Sequence, residues 1–117
     1  MKCVDLFSGA GGLTGGLHDA GWETIAAFEI DQSAASTYSH NFPAVRMLVV
    51  DVRNVDFGEW RGRVDLVAGG PPCQPFSVAG NQRSFEDPRD CVPQFIRAVA
   101  EVQPSAFLME NVSGLAM

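Results

Sequence analysis

Short apolar runs alternate with amphipathic stretches along this chain. Cys3-Val4-Asp5-Leu6-Phe7 ends in a Ser-Gly-Ala-Gly-Gly turn, after which Leu13, Leu17 and Ala20 recur at helical spacing up to Gly21. The pattern predicts strand, glycine loop, helix. Thr24-Ile25-Ala26-Ala27-Phe28 is a continuous apolar run of the kind buried on both faces of a sheet, followed by Glu29-Ile30-Asp31 and a helix-like stretch to His40. Val45 to Val50, closed by Asp51, predicts a third strand. Val64 to Ala68, closed by Gly69-Gly70-Pro71-Pro72, predicts a fourth. Phe76 to Asp90 is polar and aperiodic and reads as a long loop, a length that inside a compact domain usually serves function. Phe95, Ile96, Val99 and Val102 are expected on one face of a helix ended by Pro104, and Ala106 to Met109 forms a fifth strand stopping at Glu110.

Strands alternating with helices imply right-handed βαβ units and a parallel, doubly wound α/β sheet, whose ligands gather at the carboxyl ends of the strands. Phe7 to Gly12, Glu29, Asp51, Pro71 to Gln74 and Glu110 fall there. With nothing after Met117 in this sequence, the fifth strand is expected to be a bare hydrophobic edge.

Composition narrows this picture. The 117 residues, 46% hydrophobic and 19% charged, suit one globular domain or part of one. No apolar run reaches the roughly eighteen residues of a membrane span and no signal-peptide pattern opens the chain, so a cytoplasmic (bacterial) or otherwise intracellular protein without a membrane partner is expected. Three separated cysteines, with no CxxC pair, exclude a disulfide framework and predict no metal site. A net charge of −6 has the wrong sign for a surface that grips phosphates.

Ser8-Gly9-Ala10-Gly11-Gly12 is a turn that lets backbone N–H groups approach a ligand. Counting from Gly9 and Gly11, the third glycine of a dinucleotide loop is replaced by Thr14, which disfavours a nicotinamide enzyme. Glu29 follows about twenty residues on, where an acid can accept both ribose hydroxyls of an adenosyl group. The plainer reading of these features is a turn plus a solvated acid. More telling is Cys73. Two prolines fix the backbone just before it, so its thiol is held in one direction at the sheet rim. Cys3 reads instead as a small core residue and Cys91 as a packing or incidental position. Glu110, on the same rim, can protonate or hydrogen-bond a substrate heteroatom, against the alternative of a solvated loop carboxylate. His18 and His40 read as surface or packing residues.

Four segments in order, Asp5-Leu6-Phe7-Ser8-Gly9-Ala10-Gly11-Gly12-Leu13, Glu29-Ile30-Asp31, Gly69-Gly70-Pro71-Pro72-Cys73-Gln74-Pro75-Phe76-Ser77 and Glu110-Asn111-Val112, are similar to the successive motifs of the cytosine-C5 DNA methyltransferases. The resemblance implies a Rossmann-like parallel sheet of the S-adenosylmethionine-dependent methyltransferase type, incomplete, with about five strands. Residues 1–117 would be the N-terminal part of the catalytic domain. It further implies S-adenosyl-L-methionine as cofactor: Phe7 packs on the adenine, Ser8, Gly9, Gly11, Gly12 and Leu13 face the methionine part, and Glu29 holds the ribose. Ile30 lies against the adenine face, Asp51 and Val52 read its edge, and Pro71 and Val92 line the site. Gln74, Ser77, Arg89 and Asn111 would serve the substrate and its closing loop. Asp90 stands where the family often has glycine.

By the same resemblance, Cys73 as thiolate adds to cytosine C6 while Glu110 supports charge at N3 and the exocyclic amine. C5 then takes the methyl group, and the thiol leaves. The base must first be swung out of double-stranded DNA. The family's downstream arginine strand, target-recognition region and C-terminal segment are absent from this sequence. A fragment or one part of a split enzyme, dependent on the missing portion or a complementing subunit, is therefore expected. The alternatives are a tRNA cytosine-C5 methyltransferase, a non-catalytic cofactor-binding or partner module, and an NAD-linked oxidoreductase.

Overall fold

The computed structural model describes residues 1–72 and 91–110. Five parallel strands, β1 (Lys2–Leu6), β2 (Glu23–Glu29), β3 (Arg46–Val49), β4 (Leu66–Gly69) and β5 (Ala106–Met109), form one sheet in the order β3-β2-β1-β4-β5. Helices α1 (Gly12–Asp19), α2 (Gln32–Asn41) and α3 (Val92–Val102) make the crossovers, with two 3-10 turns at Val52–Asn54 and Phe57–Trp60. The predicted alternation of elements is thus present, with strand ends shifted by one or two residues.

β1 pairs with both β2 and β4, so no edge of it meets water and Cys3 to Leu6 are all buried. Its alternation divides the core. Val4 and Leu6 point to a layer with Ala26, Phe28 and Val67, onto which α3 lays Phe95, Ala98 and Val102. Phe57 and Trp60 fold onto Phe28 in the same layer, with edge-to-face ring centroids 5.4 and 5.0 Å away. Cys3 points to the opposite layer, with Leu66, Ala68 and Leu17 of α1.

Helix α3 corrects the expected apolar face. Phe95, Ala98 and Val102 recur at i, i+3 and i+7 and form the buried stripe, whereas Ile96 is 60% exposed because it lies about 100° round the axis from Phe95. Ala20, expected on the inner face of α1, is the exposed C-cap of that helix. The expected apolar edge is present: β5 is outermost, with Phe107 58% and Leu108 44% exposed.

Chain order reverses between β1 and β4, since β2 and β3 lie to one side and β4 and β5 to the other. This is the switch point at which such sheets open a crevice above the strand ends.

Candidate functional site

The loop leaving β1 is built from backbone that ordinary side chains disfavour. Phe7, Gly9 and Gly11 have φ of 56°, 55° and 107°. Phe7 is not a glycine, so its left-handed backbone stores strain that the fold must hold in place. It is held by the Ser8 N–H donating to the Phe28 carbonyl at 3.0 Å and the Gly11 N–H donating to the Ser8 carbonyl at 3.1 Å. Gly11 faces away from the crevice: a Cβ there would stand 2.5 Å from the Phe42 ring and 3.0 Å from Tyr38. Gly12, with open space around it, opens α1, whose N-terminus takes no side-chain cap among the described residues.

Glu29, at the end of β2, is oriented by two backbone donors. The Gly9 N–H reaches Oε1 at 2.8 Å and the Asp31 N–H reaches Oε2 at 2.9 Å. Asp31 in turn caps α2 by accepting from the Ala34 N–H at 2.8 Å. Asp51, after β3, accepts from the Arg53 N–H and guanidinium, and these bonds hold its carboxyl below the usual range. Arg97 of α3 fixes this segment from beneath, donating to the carbonyls of Val52 at 2.7 Å and Val55 at 2.9 Å and lying over the Phe57 ring at 5.0 Å.

At the end of β4, a Cβ on Gly69 would stand 2.5 Å from the Leu6 carbonyl oxygen, so glycine is what permits the close β1–β4 approach. The Glu110 N–H donates to the Gly69 carbonyl at 2.9 Å, placing the Glu110 backbone beside Gly70. Cys91, at the N-cap of α3, donates its N–H to the Pro72 carbonyl at 3.4 Å.

These strand ends enclose two clefts that share Phe7, Gly70 and Pro72. One, of about 240 Å³, is lined by Phe28, Ile30, Val50 and Val52, with Glu29, Asp51, Arg53 and Cys91 at its polar points. The other, of about 360 Å³, is lined by Asp5, Ser8, Gly12, Leu13, Pro71 and Glu110. Four carboxylates and one guanidinium thus line the two clefts. That balance suits a cationic ligand and opposes a pyrophosphate.

Asp5 is the least expected member. It is fully buried on the α1 side of the sheet; Thr14 donates to its Oδ2 at 2.6 Å, and Tyr38 stands 2.8 Å from the Thr14 hydroxyl. Thr14 has one proton and gives it to Asp5, so Tyr38 is the donor in the second bond. Burial is the main cause that pushes the Asp5 carboxyl up to about 6, and burial likewise pushes Tyr38 up to about 12. Asp5 Oδ1 has no hydrogen-bond partner among the described residues.

Of the residues expected at the site, Phe7, Ser8, Gly12, Leu13, Glu29, Ile30, Asp51, Val52, Pro71 and Glu110 come together round the clefts. Gly9 and Gly11 are not among the lining residues of either cleft; the Gly9 N–H is given to Glu29, and the Cα of Gly11 packs toward Phe42 and Tyr38. Val92 is half-buried in the first turn of α3, and its neighbour Cys91, expected to be packing or incidental, lines the wall. Cys73, Gln74, Ser77, Arg89 and Asn111 lie outside the described residues. Sequence reasoning missed Arg53 and Arg97, and passed over Asp5 as part of a strand, although a lone acid inside an apolar run was a visible signal. Cys3 is buried as expected, and His18 and His40 are exposed.

The family model of the C-5 cytosine-specific DNA methylases matches residues 1–117. The chain belongs to the C-5 cytosine-specific DNA methylase family. Among curated relatives of this methylase, Type II methyltransferase M.PspPI of Psychrobacter sp. is 48% identical over 114 residues, which cover 97% of this chain and 27% of that protein. M.AquIA of Picosynechococcus sp. is 40% identical over 122 residues, 97% of this chain and 49% of that protein. The chain therefore spans between a quarter and a half of these relatives. Two solved structures share its sheet: a DNA modification methyltransferase encoded in an Escherichia coli prophage (TM-score 0.80, 36% identity, all of this chain and 33% of that one) and a variant of Spodoptera frugiperda DNMT2 (TM-score 0.74, 31% identity, 98% and 36%). The methylase sheet is that of the S-adenosylmethionine-dependent methyltransferases. Among the described residues no helix is long and apolar enough to cross a membrane.

Proposed function

We propose that this chain forms the cofactor wall and carries the nucleophile of an enzyme that methylates C5 of cytosine in DNA. The observation that carries the reading is the pair of adjoining clefts at the β1/β4 switch point: an apolar slot ending at Glu29 and Asp51, beside a carboxylate-lined chamber holding Glu110. The residues present fit S-adenosyl-L-methionine. Phe7, Ile30 and Val52 offer flat apolar walls for an adenine, and Glu29, already fixed by two N–H donors, retains acceptor capacity for ribose hydroxyls. The unpartnered Asp5 Oδ1 suits the amine of the methionine end. When bound, that cofactor supplies the methyl group.

The chain continues from Pro72 into Cys73, for which we propose the role of nucleophile toward cytosine C6. Glu110 would hydrogen-bond N3 and the exocyclic amine of a flipped base, supporting the charge that builds there. The net charge of −6 opposes a grip on phosphates by this surface, which supports a main grip on DNA by other parts of the enzyme.

Trapping on DNA that contains 5-fluorocytosine tests the assignment, because the fluorine cannot leave as the proton does and the adduct persists. Mapping of the adduct to Cys73, and its loss in Cys73→Ala, is expected. Methyl transfer at full rate by Cys73→Ala would overturn it. Labelled cofactor offered with DNA and with tRNA in parallel identifies the nucleic acid, with label expected in DNA.

A further inference from the structure

A carboxylate oxygen that is buried beside a cleft and without a partner is costly to a fold unless it is protonated or a cation arrives to meet it. Asp5 Oδ1 is such an oxygen: Asp5 has no exposed surface and lines the chamber beside Ser8, Gly12 and Glu110. Its other oxygen is committed to Thr14, and through Thr14 to Tyr38, so the carboxyl cannot turn without breaking a 2.6 Å bond. The charged and titratable groups that face it are Glu110 after β5, Glu29 at the end of β2, Tyr38 of α2 and Cys3 on its own strand; none of them is a cation. The bonds from Thr14 favour a negative charge at Asp5, but no cation in its described surroundings meets it, and two neighbouring carboxylates oppose it.

We infer that ligand binding in the chamber is proton-linked through Asp5: the buried carboxyl releases one proton to solvent as a ligand ammonium group settles beside Oδ1. The inference rests on the cofactor reading above and adds to it a pH dependence of binding seated in one residue. The balance is simple. The neutral acid in the empty chamber becomes carboxylate plus a solvated proton, and the carboxylate then faces the ligand cation. The Thr14 hydroxyl bond, which favours the ionised form, keeps the release point within reach of neutral pH against the burial that opposes it.

Calorimetric titration with S-adenosyl-L-homocysteine, which carries the ammonium, and with 5′-methylthioadenosine, which lacks it, tests the inference in buffers of different ionisation enthalpy. With the homocysteine ligand, affinity is expected to weaken about tenfold from pH 7 to pH 5, with about half a proton released at pH 6. With methylthioadenosine neither change is expected. In Asp5→Asn the homocysteine ligand should bind weakly at every pH and release no proton. In Thr14→Val, which removes a bond favouring the carboxylate, the midpoint should move to higher pH, a shift that mere loosening of the fold does not produce. Binding with pH-independent affinity and no proton release in the unaltered protein would overturn the inference and leave the cofactor reading standing. No binding of either ligand at any pH would overturn both.

Discussion

Asp5→Asn is expected to reverse part of the pH dependence of stability in the ligand-free protein. In the unfolded chain the Asp5 carboxyl titrates near 3.8, and in the fold it is pushed up to about 6, chiefly by burial. The folded state therefore binds the proton more tightly. Asp5 contributes stability that is fully present below pH 3.8 and is lost as pH rises through about 6. A difference of roughly two pKa units corresponds to about 3 kcal/mol between the acidic and alkaline limits. Asparagine keeps an acceptor for the Thr14 hydroxyl and places an uncharged NH₂ where Oδ1 stands, so it matches the protonated acid and has no proton to lose. Relative to the unaltered protein the variant should gain stability from about pH 4 to about pH 6, by up to about 3 kcal/mol, and hold that gain at higher pH. Urea unfolding at half-unit pH intervals reads this directly, with the slope m expected to be common to both proteins. A stability difference between the two that is flat across this window would refute the reasoning, whatever its sign.

Gly69→Ala should lower the urea midpoint, because its Cβ would meet the Leu6 carbonyl oxygen at 2.5 Å and backbone cannot step aside; the cost is about 3 kcal/mol, and an unchanged midpoint would contradict the packing. Glu29→Gln leaves one acceptor where two N–H donors converge, so an amide NH₂ must oppose the Gly9 or the Asp31 N–H. Titration with S-adenosyl-L-homocysteine should show at least about tenfold weaker binding, and equal affinity would remove Glu29 from the site. Arg97→Met keeps the apolar stem over Phe57 but abandons the Val52 and Val55 carbonyls, for a loss of about 2 kcal/mol in unfolding experiments and faster amide hydrogen exchange at residues 52–57. Exchange in that segment as slow as in the unaltered protein would mean that Arg97 does not hold it.

The sheet was legible because β1, β2 and β4 are buried on both faces and so carry continuous apolar runs, each stopped by glycine, an acid or proline. Motif order then supplied the rim residues, since a parallel sheet brings every strand's carboxyl end to the same side. Contacts between distant residues were harder to read. Phe57 and Trp60 lie in a stretch with no helical or strand period, and only the folded chain shows them closing over Phe28. Arg97 looks like one more surface charge on a helix until residues 52 to 55 are brought over it. A second reason for glycine at Gly11 was not legible: its missing side chain makes room for Phe42 and Tyr38, residues of a distant helix and its cap. Ile96 was misplaced because adjacent apolar residues on a helix cannot both face the sheet squarely; Ala98, small and easily overlooked, takes the inner position.

The seam between β1 and β4 has a consequence for engineering. With Gly69 against the Leu6 carbonyl, the strand that ends in the glycine loop and the strand that leads to Pro71 and Pro72 are locked at a spacing with no slack for even one methyl group. The segments that leave these strands, residues 7–11 and 70–72, therefore take their positions from a single register. A chimera that imports one from a relative inherits a register set by the other, so grafts should be cut at the loops of the outer strands, with β1 and β4 moved together.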